Sequence, residues 1–345
     1  MSPTLRDVAT LANVSYGTVA RVVHQRGDVA EETRQRVQAA IAQLDYRPNV
    51  IARSLRKRKS YTIGIAVSNI LNPRFAGGVR GVQDVVEEEG YQTVLGNTDE
   101  NPEKEARFLE MLLGQRVDGL VVLPAGGVNR AQVARFQSSG IPVVLLNRRL
   151  EGVDAVLSDN PGGIRLALQH LLGLGHRRIG MIVAPISSTT SGRERVATYN
   201  DLLRAAGEEP DPSLTVEGGF DPEGGYRAAL RLLSSADRPT AVLATAVFLT
   251  LGTLRAIQEL RLRVPEDVSL IGFNETQWAP YLSPALTVVA DDSREMGRQA
   301  AKILFQRIRG ELSPERVELR VPVTLTVRCS CAPAAAIPRT GALPR

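Results

Sequence analysis

The chain has 345 residues, 43% hydrophobic and 23% charged, which is the composition of a globular protein long enough for two or three domains and excludes a disordered or collagen-like chain. Its two cysteines, Cys329 and Cys331, cannot staple a fold of this size, so a reducing compartment is expected. The formal charge of +5 hides an asymmetry: residues 1–60 hold 11 Lys+Arg against 5 Asp+Glu, and the remainder 31 against 32.

Positive charge confined to the N-terminus is the electrostatic footprint of a nucleic-acid-binding segment on a near-neutral body, or of a solvated tail. Patterning favours the first. Thr4 to Val23 (TLRDVATLANVSYGTVARVV) carries Leu5, Val8, Ala9 and Ala12 at helical spacing, and Val14, Val19, Val22 and Val23 resume it after a break. The spacing predicts two short helices, the first capped by Thr4 with Asp7 in its early turn, the second capped by Ser15, and Asn13 turning between them. Helix, short turn, helix is the DNA-reading motif. With the valines inward, Tyr16, Gly17 and Thr18 face outward at the start of the second helix and Arg21 follows one turn later, positioned for the major groove. Arg21 can donate two bonds to a guanine, and Tyr16 can touch a base edge or a thymine methyl. A third helix, about Glu31 to Leu44, completes the head through Val37, Ile41 and Leu44. Tyr46-Arg47-Pro48-Asn49 interrupts the chain before a short apolar-basic segment, Asn49 to Leu55, and the run Arg56-Lys57-Arg58-Lys59.

TLRDVATLANVSYGTVARVV followed by EETRQRVQAAIAQLDYRPNVIARSLR closely resembles the N-terminus of lac repressor family (LacI/GalR) transcription regulators. The resemblance continues through NTDENPEKE, QRVDGLVVLP, IPVVLLNRRL, LGHRRIGMI and LRVPEDVSLIGFNET to at least Val327. It implies a hinge helix at Asn49 to Leu55, with Leu55 wedging into the minor groove at the centre of a palindromic operator. Such a wedge partly unstacks a base step and kinks DNA. The expected DNA-binding set is thus Thr4, Leu5, Ser15, Tyr16, Gly17, Thr18, Arg21 and His24, then Thr33, Tyr46, Asn49, Ala52, Arg53 and Leu55. Ala20 and Gly17 depart from the family's usual residues, removing a phosphate contact and a base contact, so specificity leans on Tyr16, Arg21 and Leu55.

From Tyr61, apolar β-rich runs alternate with amphipathic ones: Thr62–Val67, Phe75–Glu89, Thr93–Leu95, Glu103–Gln115, Gly119–Leu123, Ala131–Ser138 and Val143–Leu146. The order restarts after Asp159 with Ile164–Leu172, Ile179–Val183, Arg193–Ala206, Gly225–Leu233, Ala241–Ala244, Thr250–Leu260 and Val268–Phe273. Continuous apolar strands with crossover helices predict two parallel-sheet lobes, with a cleft beyond the strands' carboxyl ends. The resemblance implies a periplasmic-binding-protein-like body hinged near residues 160, 290 and 320. The expected fold is therefore α/β: a three-helix helix-turn-helix head (1–46), a hinge helix and linker (47–60), a two-lobed body for effector binding and dimerisation (61–330) and a disordered Ala/Pro-rich tail (331–345).

Carried over from the family, Asn72, Phe75, Asn147, Arg195 and Phe220 match effector-cleft positions. The family's usual Asn-Asp at one strand-to-helix turn is Ala246-Val247 here, and its aspartate after Gly-Phe is Asn274. Losing acceptors for hydroxyls while keeping Arg195 favours an anionic ligand such as a sugar phosphate. A sugar or nucleoside, or a cleft with no small effector, remain alternatives.

Other motifs fall away. Gly173-Leu174-Gly175-His176-Arg177-Arg178 lacks the third glycine of a dinucleotide fingerprint and ends a helix instead of opening one. His24, His170 and His176 lie without partners at metal-ligand spacing, so no metal or cofactor is expected; His24 suits a phosphate contact and His176 packing. Cys329 and Cys331 flank Ser330, and alternation would put both on one face. A helix over about Ser293 to Arg309 carries Met296, Ile303, Leu304 and Ile308 as a core or interface stripe. No nucleophile comes with a base and an orienter, so no enzyme is expected. The 16-residue charge-free run Pro239 to Leu254 falls short of the ~20 residues that span a bilayer, and no signal peptide is visible.

The sequence thus predicts a cytoplasmic, nucleoid-associated, homodimeric repressor that binds double-stranded operator DNA under control of a small effector. The alternative is a regulator with a vestigial cleft, controlled by a protein partner or by abundance.

Overall fold

The structure, a computed structural model, describes residues 3–23, 28–46, 59–124, 126 and 129–334. The expected hinge helix, Asn49 to Leu55, lies outside the described residues. The chain forms two units that divide between Ser60 and Tyr61.

In the first unit, Thr4 closes a capping box on α1 (Leu5–Ala12). Its hydroxyl accepts from Asp7 N at 3.4 Å and its own N donates to Asp7 Oδ2 at 2.8 Å, which satisfies two amides that the helix leaves free. Asn13 takes the left-handed conformation (φ 51°, ψ 52°) that an asparagine tolerates in a tight turn. Ser15 Oγ accepts from Thr18 N at 3.1 Å at the head of α2 (Tyr16–Val23). α3 spans Glu31–Gln43, and Leu44, expected as its last residue, is its cap. Val8, Val19, Val22, Val37 and Tyr46 form the core, with Leu5, Val14, Ile41 and Leu44 packed around them.

The second unit begins with β1 (Thr62–Val67), α4 (Pro73–Glu88), β2 (Gln92–Asn97), α5 (Pro102–Gly114), β3 (Gly119–Leu123), α6 (Arg130–Ser138), β4 (Val143–Leu146) and β5 (Asp154–Ser158). The chain then crosses to a second lobe. This contains α7 (Asn160–Gly173), β6 (Ile179–Val183), α8 (Thr190–Ala205), β7 (Thr215–Glu217), α9 (Pro222–Leu233), β8 (Ala241–Ala244), α10 (Val247–Glu259), β9 (Ser269–Phe273) and β10 (Thr287–Asp291). α11 (Ser293–Arg309) and β11 (Glu318–Val321) return to the first lobe, and β12 (Val323–Thr326) ends in the second. Three crossovers, at Asp159, Asp292 and Pro322, therefore join the lobes among the described residues, close to the positions expected.

Among the described residues the first sheet runs β11-β5-β4-β3-β1-β2 and the second β12-β10-β9-β8-β6-β7. Inner strands such as Gly119–Leu123 and Ile179–Val183 are buried along their whole length, because helices cover both faces; each fully buried Val, Leu or Ile contributes about 1.5–3 kcal/mol. The edge strand Gln92–Asn97 is instead only partly covered. One feature departs from all-parallel sheets: β12 pairs antiparallel with β10, since the last crossover brings it back from the opposite end. β5, which the sequence pattern passed over between Leu146 and Asp159, is an inner strand buried throughout.

α4 and α11 approach closely on the first lobe. A Cβ on Gly81 would lie 1.9 Å from Arg294 O, and one on Gly297 would lie 2.0 Å from Gly78 O, so glycine at these positions sets the helix separation. Met296 and Leu304 on α11 are wholly buried in that core, which makes the late-helix stripe core.

The tail departs from expectation at its start. Cys331 to Ala334 packs on the second lobe: Ala334 N donates to Leu174 O at 2.9 Å, Ala332 N donates to Ser269 Oγ at 3.0 Å, and His176 Nε2 lies 3.0 Å from Ala332 O. Cys329 is exposed and Cys331 half-buried, while Ser330 between them is buried and binds Thr287 N and Leu270 O. The two cysteines thus do not share one face, because this segment is held by side-chain bonds and is not a strand. Residues 335–345 lie outside the described residues.

Candidate DNA-reading surface and ligand cleft

On the head, Tyr16 is 47% exposed, with Ser15, Gly17 and Arg21 open beside it and Thr18 half-buried. A Cβ on Gly17 would meet only Ser15 Oγ, at 3.7 Å, so packing does not demand glycine there and its small size leaves the surface flat. Arg21 Nε donates to Gly17 O at 3.4 Å, a long contact that a nucleic-acid base or phosphate can replace. Thr4 is exposed but committed to its cap, and Leu5 packs on the core. Thr33 is half-buried and accepts from Arg36 at 3.5 Å. Tyr46 is 8% exposed and belongs to the head core, not to the open face. His24, Asn49, Ala52, Arg53 and Leu55 lie outside the described residues.

The body's cleft lies between the lobes, where the strands end, and holds about 560 Å³ including its open mouth. All seven residues carried over from the family line it: Asn72, Phe75, Asn147, Arg195, Phe220, Ala246 and Asn274. Asn147 and Asn274 occupy matching places after β4 and β9, both with positive φ (66° and 68°), a conformation asparagine adopts more readily than most residues. Asn72 caps α4 by accepting from Arg74 N at 3.1 Å, which leaves its amide donor for a ligand. Phe75 is buried against the core, whereas Phe220 is half-exposed to the cleft.

Sequence reasoning missed the cleft's other charges. Arg74, Arg148 and Glu100 also line it, with Ser191, Thr245 and Phe248. The signal was present in the neighbouring letters, Arg148 directly after Asn147 and Arg74 two after Asn72. Arg74, Arg148 and Arg195 are 7%, 6% and 7% exposed. Arg74 pairs with Asp291 at 2.8 Å, and Ser158 Oγ donates to the same carboxylate oxygen at 2.5 Å. Burial pushes the Asp291 carboxyl up, but Arg74, Ser158 and Arg195 together hold it below the usual range. Arg148 is anchored by donating to Gly126 O and Asn147 O. Burial lowers its guanidinium to about 10 against the pull of Glu100. Burial and the nearby Arg74 lower Arg195 to about 9. Burial raises the Glu100 carboxyl above its ordinary value. Three buried arginines against the Glu100 and Asp291 carboxyls leave the cleft with surplus positive charge.

Chemically, the cleft offers arginine and amide donors, an aromatic face and, in Glu100, an acceptor. No group of three or more metal-ligating side chains occurs among the described residues, and no described helix is long and apolar enough to cross a membrane.

Residues 4–49 match the family of bacterial regulatory proteins, lacI family, and residues 168–331 match the periplasmic binding protein-like domain. The HTH-type transcriptional repressor PurR of Haemophilus influenzae (strain PittEE) is 36% identical over 306 residues, covering 88% of this chain and 91% of the relative. The PurR of Klebsiella pneumoniae (strain 342) is likewise 36% identical, covering 88% and 90%. Among solved structures, the lac repressor dimer bound to operator and the anti-inducer ONPF superposes with a TM-score of 0.85 at 29% identity, covering 96% of this chain and all of that one. The transcriptional regulator CelR–cellobiose complex superposes with a TM-score of 0.73 at 36% identity, covering 95% and 99%. With a capped helix-turn-helix head, a cleft built from the expected residues and relatives aligned over most of its length, the chain belongs to the lacI family of bacterial regulatory proteins.

Proposed function

We propose that the chain is a sequence-specific DNA-binding repressor that acts as a homodimer on a palindromic operator, and that a small ligand in the cleft sets its affinity for DNA. The observation that carries this reading is that one chain holds both an open Tyr16–Arg21 helix face and a cleft lined by buried polar groups. The relatives are named as repressors, and one is a dimer on its operator. A cytoplasmic location on the nucleoid follows from that role.

Ligand control requires different affinities for two arrangements of the lobes. In this reading the ligand changes the angle between them, which moves the two hinge segments apart and withdraws Leu55 from the minor groove. Tyr16 and Arg21 read bases from the open face of their helix.

Selection of binding sites from random DNA at a fixed salt concentration tests the proposal, since such affinities have meaning only at stated salt. The expected result is a palindrome with a deformable central step, bound at least tenfold more weakly by Leu55→Ala. No enriched sequence, with or without metabolite extract, would overturn it.

A further inference from the structure

Arg148 spends its donors on backbone oxygens, whereas Arg195 is a cleft arginine with a donor to spare. Its Nη1 donates to Thr245 O at 2.6 Å and its guanidinium sits 4.8 Å over the Phe273 ring, but Nε is buried with no hydrogen-bond partner among the described residues. No ion pair holds it among those residues. Asp291 and Glu194 act on its charge from beyond contact, but Asp291 Oδ2 is taken by Arg74 and Ser158 while Oδ1 bonds to nothing among the described residues, and Glu194 is taken by Arg320 at 2.8 Å and Asn160 at 2.9 Å. A buried cation without a contacting counter-charge is costly, and proteins normally pair it.

Thr245, which anchors Arg195, leads directly into α10. That helix opens at Ala246, whose methyl caps nothing, so its first amides are left without the usual side-chain acceptor. The orphan amides and the positive helix end favour an anion beside Arg195, which has no contacting counter-charge among the described residues. Asn274, also lining the cleft, adds no negative charge.

We propose that the cleft's ligand carries an oxyanion, a phosphate monoester or a carboxylate, and that Arg195 and the uncapped start of α10 hold it. Glu100 Oε2, buried without a partner among the described residues, supplies an acceptor for a hydroxyl on the same ligand, so the class is a hydroxylated acid. The proposal rests on the ligand-controlled reading and narrows it to one chemistry.

Thermal unfolding of the full chain at constant ionic strength provides the test, with inorganic phosphate and the sets glucose, glucose 6-phosphate and gluconate as probes. A saturable rise in Tm with inorganic phosphate or with an acidic sugar, and none with glucose, is the expected result. The two acids separate phosphate from carboxylate. Ala246→Asp places a carboxylate at the helix start. It should raise the Tm of the unliganded chain and weaken binding of the same anion at least tenfold, with Arg195→Met doing the latter alone and Arg195→Lys retaining part of the affinity. A shift with glucose equal to that with its phosphate, no shift with any anion, or undiminished anion binding by Ala246→Asp would overturn the proposal. None of these readouts involves DNA, so failure here leaves operator recognition standing, and failure of operator selection leaves the anion result standing.

Discussion

Replacing Asp291 by Asn tests how the lobes are held where the chain crosses between them. Asp291 ends β10 in the second lobe and its carboxylate meets Arg74, at the start of α4 in the first, at 2.8 Å with side chains only 2% and 6% exposed. The amide keeps the volume and removes the charge, so Arg74 becomes a buried cation facing a neutral group. Breaking one side of a buried pair costs about 3–5 kcal/mol; at roughly 2–4 °C per kcal/mol for domains of this scale, Tm at pH 7 should fall by roughly 6–20 °C. The pH dependence carries its own sign. Because Asp291's folded carboxyl lies below its ordinary value, its stabilisation is present above the ordinary carboxylate range and is lost as pH falls through the folded value. Calorimetric scans at pH 7 and at successively lower pH should therefore show the gap between wild type and Asp291→Asn closing on acidification. A loss under about 2 °C at pH 7, or a gap that stays constant into acid, would refute the argument.

Gly81→Ala should destabilise the first lobe by about 1–3 kcal/mol or more in urea unfolding, because the new methyl falls 1.9 Å from the α11 backbone; a loss below about 0.5 kcal/mol would show that the helices separate freely. His176, buried between Thr240 Oγ1 at 2.8 Å and Ala332 O, is depressed by burial. Its contribution is thus present above the ordinary histidine value and lost as pH falls through the folded one, so Tm should drop between pH 7 and 5 in wild type and less in His176→Asn. Thr4→Ala removes the α1 cap at a cost of about 1 kcal/mol, which hydrogen exchange should register as roughly fivefold faster opening of the α1 amides.

The parts of the fold that the sequence made legible are those with a local cause. Thr4, Asn13 and Ser15 act within a few residues of themselves, and fully apolar runs such as Thr62–Val67, Gly119–Leu123 and Val143–Leu146 coincide with strands at both ends. β5 was missed because Asp154 breaks the apolar run at its first letter. That carboxylate is buried against Arg307, more than a hundred residues away, and no local pattern announces such a pairing. The antiparallel β12 escaped for a related reason, its direction being set by where the chain returns from. In the cleft, the carried-over residues assembled, but the balance of charge did not show in the letters: Arg74 is paired by Asp291, far along the chain, and Glu194 is drawn from its neighbour Arg195 by the equally remote Arg320.

The three crossovers also constrain how the protein is made. The first lobe is not finished when its contiguous stretch has left the ribosome, since β11, which flanks β5, and α11, which packs on α4, are encoded after the whole of the second lobe up to β10. Until then α4 shows water the glycine-lined face that α11 will cover, and the nascent chain carries an exposed apolar surface through most of its synthesis. A ribosome that stops at Asp292 thus releases a chain whose second lobe lacks its edge strand and the Ser330–Ala334 segment packed on it, and whose first lobe lacks its last helix and strand, a product fit for proteolysis and not for DNA.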